Sequence, residues 1–133
     1  MKKKKLAVLL SLMCLAMGSM TVSAETKLFT FSIEKGLCDP SVWTAKKADS
    51  EQRAYITPTS IVGSGRIWAE IYDSRGVTSY TYATGIEPGE ANVRKTVDYH
   101  RTGYKGATYR ILACDSHDEV TSNSFQVSGR WTP

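Results

Sequence analysis

His100 and His117 are the residues best suited to move a proton or hold a metal, so their surroundings decide which chemistries are open to the chain. Neither stands in the HExxH spacing of a zinc hydrolase, and no Gly-x-Ser-x-Gly elbow presents a serine nucleophile. Asp98 and His100 lie two apart, so on a strand they share a face, where an ordinary strand-end ion pair is the expected outcome. A hydrolase would need these two to meet a serine or a metal in one cleft. Asp115, His117, Asp118 and Glu119 place oxygen and nitrogen donors on one loop, yet the spacing is that of no calcium loop and a solvated acidic turn is expected. The thirteen acidic residues offer no spacing that defines a glycosidic carboxylate pair. No catalytic residue, metal ligand or cofactor is therefore assigned, and a non-enzymatic protein is expected.

The aromatic residues make a stronger pattern. Trp68, Tyr72, Tyr80 and Tyr82 fall on one hairpin running from Arg66 to Thr84, and exposed rings in a row are what sugar faces and partner proteins dock against. The turn decides their fate. A two-residue loop at Ser74-Arg75 sends Tyr80 and Tyr82 to the core side with Ile67, Ala69 and Ile71, whereas a three-residue loop or bulge puts them beside Trp68 and Tyr72 on the outer face.

The elements that must hold this hairpin read as strands. Phe29, Phe31 and Ile33 alternate with Thr30, Ser32 and Glu34, the period of a half-buried strand. Ser41 to Arg53 has no clean period. Ala54 to Ile61 is a second strand with Tyr55, Thr57, Thr59 and Ile61 on one face, and Pro58 argues for a sheet edge. Ala91 to Tyr99, Ala107 to Cys114 and Ser122 to Trp131 complete the set, the strand ending at Cys114 being apolar on both faces, as an interior strand or one bulged near Leu112 would be. About seven short strands, turn signals between them and no amphipathic helix predict an all-β antiparallel sandwich, immunoglobulin-like in type. A true antibody domain is not expected, since Leu112 stands where that family has a tyrosine two residues before the second cysteine.

Lys2 to Lys5, the apolar run Leu6 to Met17 and the small-residue site Val22-Ser23-Ala24 match a secretory leader, with cleavage expected before Glu25. The run is too short to span a bilayer, so a soluble exported domain over 25–133 is expected. The four lysines of the leader account for the whole net charge of +4; beyond them basic and acidic residues balance at thirteen each. That balance lacks the footprint of a nucleic-acid binder. Cys38 and Cys114 remain after cleavage, and in an exported chain an isolated pair is most simply a disulfide. Closing a 76-residue separation would stabilise the fold by roughly 4 kcal/mol.

The segments Phe29-Thr30-Phe31-Ser32-Ile33, Tyr109-Arg110-Ile111-Leu112-Ala113 and Val127-Ser128-Gly129-Arg130-Trp131 together resemble small secreted β-rich proteins of unknown function from Gram-positive bacteria. The resemblance implies an exported single domain, bacteriocin-like or acting at a cell surface, and supplies no catalytic residues. Two functions are carried forward. In one, the domain binds a protein or cell-surface partner through the Arg66 to Thr84 hairpin. In the other it is a carbohydrate or cell-wall binding module using the same aromatics.

Overall fold

The structure is a computed structural model that describes residues 25–116 and 125–133; the expected leader and the positions of His117, Asp118 and Glu119 lie outside the described residues. Where the sequence alternates, strands form: β1 (Lys27–Ile33), β2 (Trp43–Lys46), β3 (Arg53–Val62), β4 (Ile67–Asp73), β5 (Thr84–Ile86), β6 (Lys95–Asp98), β7 (Thr108–Asp115) and β8 (Phe125–Thr132). No helix occurs among the described residues. Two antiparallel four-stranded sheets result, ordered β1-β8-β3-β6 and β2-β7-β4-β5.

The pairing is nested. β1 pairs with β8, β2 with β7, β3 with β6 and β4 with β5, as if one long hairpin had been rolled up; β8 then pairs with β3 and β7 with β4 to knit each sheet. This is the eight-stranded, two-sheet order of a jelly roll. The sandwich expected from the sequence is present, and its strand order is not the immunoglobulin-like one: the first strand neighbours the last and not the second. Alternation specifies which face of a strand is buried but carries no information on which strands become neighbours.

The core lies between the sheets. Phe29, Phe31, Phe125, Val127 and Trp131 face it from the first sheet, and Ile67, Ala69, Ile71, Tyr109, Ile111 and Ala113 from the second. Gly129 is buried within β8 because nothing larger fits. A Cβ there would stand 2.4 Å from the Thr57 carbonyl oxygen and 2.7 Å from the Phe29 ring. The Cys38–Cys114 disulfide ties the segment after β1 to β7. Backbone bonds from Asp39 N to Ala113 O (3.0 Å) and from Asp115 N to Leu37 O (2.9 Å) flank it.

Three segments differ from their sequence reading. Ser41 to Arg53 contains β2, an edge strand too short to show a period, followed by the fully buried Lys47. The Lys47 ammonium donates to the Pro133 carbonyl (3.1 Å), pairs with Asp49 (3.1 Å) and lies 4.9 Å from the Tyr99 ring centroid. β3 is interior and not at an edge. Pro58 is tolerated there because β6 pairs only with Arg53 to Ile56, and the ladder to β8 bulges between Pro58 and Ser60. Finally, the return strand expected over Val77 to Thr84 is reduced to two isolated bridges, Tyr72 with Ser79 and Thr81 with Tyr99, before β5 begins.

Candidate binding surface on the β4 sheet

β4 alternates as its sequence requires. Ile67, Ala69 and Ile71 are fully buried, which turns Trp68, Glu70 and Tyr72 to the outer face. In register they stand opposite Cys114, Leu112 and Arg110 of β7. The hairpin loop has four residues, Ser74 to Val77, and not the two or three considered from the sequence. Asp73 N donates to Thr78 O (2.9 Å), Tyr80 N donates to Ile71 O (2.8 Å), and Gly76 takes φ +72° in the turn.

This register separates the two tyrosines of the returning chain. Tyr80 pairs with Ile71 and so packs against the core, its ring 5.1 Å from Tyr109 in an edge-to-face contact. The chain then leaves β4, because the buried Thr81 hydroxyl occupies the Ile71 amide (3.0 Å), and the Tyr80 carbonyl accepts from His100 N (3.0 Å). The ladder resumes two residues out of phase at Thr84 opposite Ala69. Tyr82 falls in the slipped segment and is 67% exposed, with the His100 ring 5.1 Å away.

Tyr72 and Tyr82 are linked through Glu70, Ser79 and His100, which alternation alone does not single out. The Glu70 carboxylate accepts from the Tyr72 hydroxyl (3.1 Å) on one oxygen and meets the Ser79 hydroxyl on the other. Ser79 Oγ also lies 3.1 Å from His100 Nε2, and the His100 ring meets Tyr82 in a tilted contact. Burial and the Glu70 charge push the Tyr72 hydroxyl above its usual range, so it stays a proton donor to Glu70 at any physiological pH. Trp68 carries the Arg66 guanidinium 4.7 Å from its ring centre, and Arg66 pairs with Glu87 (2.8 Å). Glu70 was legible in principle, since it lies between Trp68 and Tyr72 on the same strand face. Ser79 is brought to it by the four-residue loop, and His100 by the pairing of the segment after β6 with Tyr80 and Thr81.

His100 has thus met a serine, but not in a hydrolytic order. In a nucleophile triad the imidazole stands between the hydroxyl and the carboxylate. Here the hydroxyl stands between the other two, and Asp98 turns away to Arg53 (3.2 Å). Ser79 has one proton and three neighbours, Glu70, the Thr81 carbonyl (3.0 Å) and His100, so it is a hydrogen-bond junction. Among the described residues no group of three or more histidine, cysteine or acidic side chains is placed to hold a metal. No described helix is long and apolar enough to cross a membrane.

No protein-family model, no curated protein and no solved structure matches this chain.

Proposed function

We propose that the protein is an exported, non-enzymatic jelly-roll domain that binds a protein on a cell surface through the strip from Trp68 and Tyr72 across Glu70 to Tyr82. The observation that carries this reading is the hydrogen-bond chain Tyr72–Glu70–Ser79–His100, which holds a carboxylate in a fixed position between aromatic side chains on an outer sheet face. Fixed aromatic and charged groups are what concentrates binding energy in protein interfaces, because little side-chain freedom is lost on contact. Export rests on the leader pattern and is compatible with the Cys38–Cys114 disulfide. The bacteriocin-like role implied by the resemblance belongs to the same class of surface action.

A carbohydrate or cell-wall ligand is the second reading, favoured by the open ring of Tyr82. Arg66 weighs against it, since a guanidinium over Trp68 occupies a ring face that a sugar would need. Retention of the oxidised protein on whole cells, before and after the cells are treated with protease, separates the two. A protein partner predicts retention that protease abolishes, and a loss of about tenfold or more in Trp68→Ala and Tyr82→Ala, as for hot-spot residues worth ~2 kcal/mol. Glu70→Gln, which preserves shape, should weaken retention as well. Retention that survives protease and yields to competing glycans would replace the first reading by the second. Equal retention of wild type and all three folded variants would remove the strip from the function altogether.

A further inference from the structure

A second site lies on the opposite sheet. A polar groove of about 290 Å³ runs over the outer face of β3 and β8, where Tyr55, Arg130 and Thr132 meet Arg94 and Glu51 from the adjoining loops. Its volume is at the small end of the ~300–1,000 Å³ range of ligand sites, which suits a single ring and not a polymer.

The arginines beyond the groove differ from the two that line it. Arg53, Arg66 and Arg75 pair with carboxylates, and Arg110 donates to the carbonyls of Pro40 (3.3 Å) and Ser41 (3.2 Å). Arg94 and Arg130 have no such partner among the described residues. Arg94 is nonetheless held in place, its guanidinium 3.9 Å from the Tyr55 ring centre. The Tyr55 hydroxyl in turn donates to Glu51 (2.6 Å), whose carboxylate pairs with no cation among the described residues. Asp49 also borders the groove, but its charge is met by Lys47 (3.1 Å). Arg94 and Arg130 therefore border the groove together with the Glu51 carboxylate, while Asp49 and the Pro133 carbonyl are both held by Lys47.

Planar guanidinium forks match a carboxylate or phosphate, and stacking on an aromatic ring lowers the entropy lost when they engage it. The presence of Glu51 selects between the two anions. It repels a dianion such as phosphate and accepts hydrogen bonds from hydroxyls, as Thr132 also can. We infer that this groove binds a small polyhydroxylated monocarboxylate of the sugar-acid class, its carboxylate taken by Arg94 and Arg130 and its hydroxyls by Glu51 and Thr132.

Titrating glucuronate, glucose and inorganic phosphate into the oxidised protein, followed by amide chemical shifts, tests this. Glucuronate should give saturable shifts at Tyr55, Arg94 and Arg130, and glucose none. Arg94→Gln and Arg130→Gln, both at exposed positions, should each weaken glucuronate at least tenfold without moving the melting temperature. Glu51→Gln should weaken glucuronate while strengthening phosphate. The assignment is overturned if glucuronate produces no saturable shift, if both arginine variants bind it as well as wild type, or if phosphate binds the wild type as tightly as glucuronate does.

Discussion

Thr81 shows how one hydroxyl redirects the chain. Its side chain is fully buried and accepts the Ile71 amide, taking the place of the backbone carbonyl that a regular hairpin would supply. Replacing it with valine conserves volume but leaves a buried N–H without an acceptor, at a cost of about 1–3 kcal/mol. Thr81→Val should therefore lower the melting temperature by several degrees while Thr81→Ser recovers most of the loss; equal melting of Val and Ser variants would show that the hydroxyl contributes nothing. Lys47 illustrates the same rule for a charge. A fully buried ammonium is tolerated because a carbonyl, a carboxylate and the Tyr99 ring surround it. Burial pushes the Tyr99 hydroxyl far above its usual range, so the ring beneath Lys47 stays neutral.

The β4 hairpin is the element on which the proposed binding strip depends, and its tip is organised by Asp73. The Asp73 carboxylate accepts the Val77 amide (2.9 Å) and the Arg75 side chain (3.1 Å), and these hold it below the usual carboxylate range. Lys95 does the same for Glu90, helped by the Glu87 amide. A carboxylate with a depressed folded value binds fewer protons in the native state than in the unfolded one. Its contribution is complete above the unfolded values of about 4 and is lost as pH falls from there through the folded values. Melting temperature should thus decline as the solution is acidified below about pH 4, and Asp73→Asn should flatten part of that decline while lowering stability at neutral pH. Identical slopes in variant and wild type would refute the assignment to Asp73. Beneath the tip, Arg110 spans from β7 to the Pro40 and Ser41 carbonyls and passes under Gly76, whose φ of +72° is what favours a glycine there. The loop therefore has a fixed floor, which helps to keep the outer strip in register.

At the scale of the molecule, the nested pairing joins the ends of the described chain, β1 with β8, so most contacts that define the fold are distant in sequence. Such a topology loses much chain entropy on folding. The Cys38–Cys114 link, closing 76 residues, offsets part of it. A Cys38→Ser/Cys114→Ser variant should lose roughly 4 kcal/mol, which corresponds to a fall of about 15 °C or more in melting temperature for a domain of this size. A change of only a few degrees would mean that the backbone bonds beside the disulfide already hold β7 to the segment after β1.

The sequence by itself determined the buried faces of β1, β4 and β8 and the all-β character of the described residues. Phe29, Phe31, Ile33, Ile67, Ala69, Ile71, Phe125, Val127 and Trp131 alternate with period two, and burial followed that period in β1, β4 and β8. It also determined the disulfide, since only two cysteines lie outside the leader pattern. Tertiary structure alone decided the order of strands, the interior position of β3 despite Pro58, and the length of the β4 hairpin loop. Those depend on which sheet faces meet and which amides find acceptors across the fold, and period-two alternation is blind to both. The groove was equally hidden, because the Glu51–Tyr55 stretch, Arg94 and Arg130 come from three segments that only the sheet brings side by side. The β4 strip stood between these cases: Trp68 and Tyr72 were legible from alternation, while Ser79 reached them through the length of the hairpin loop, and Tyr82 and His100 through the departure of the chain from β4 at Thr81.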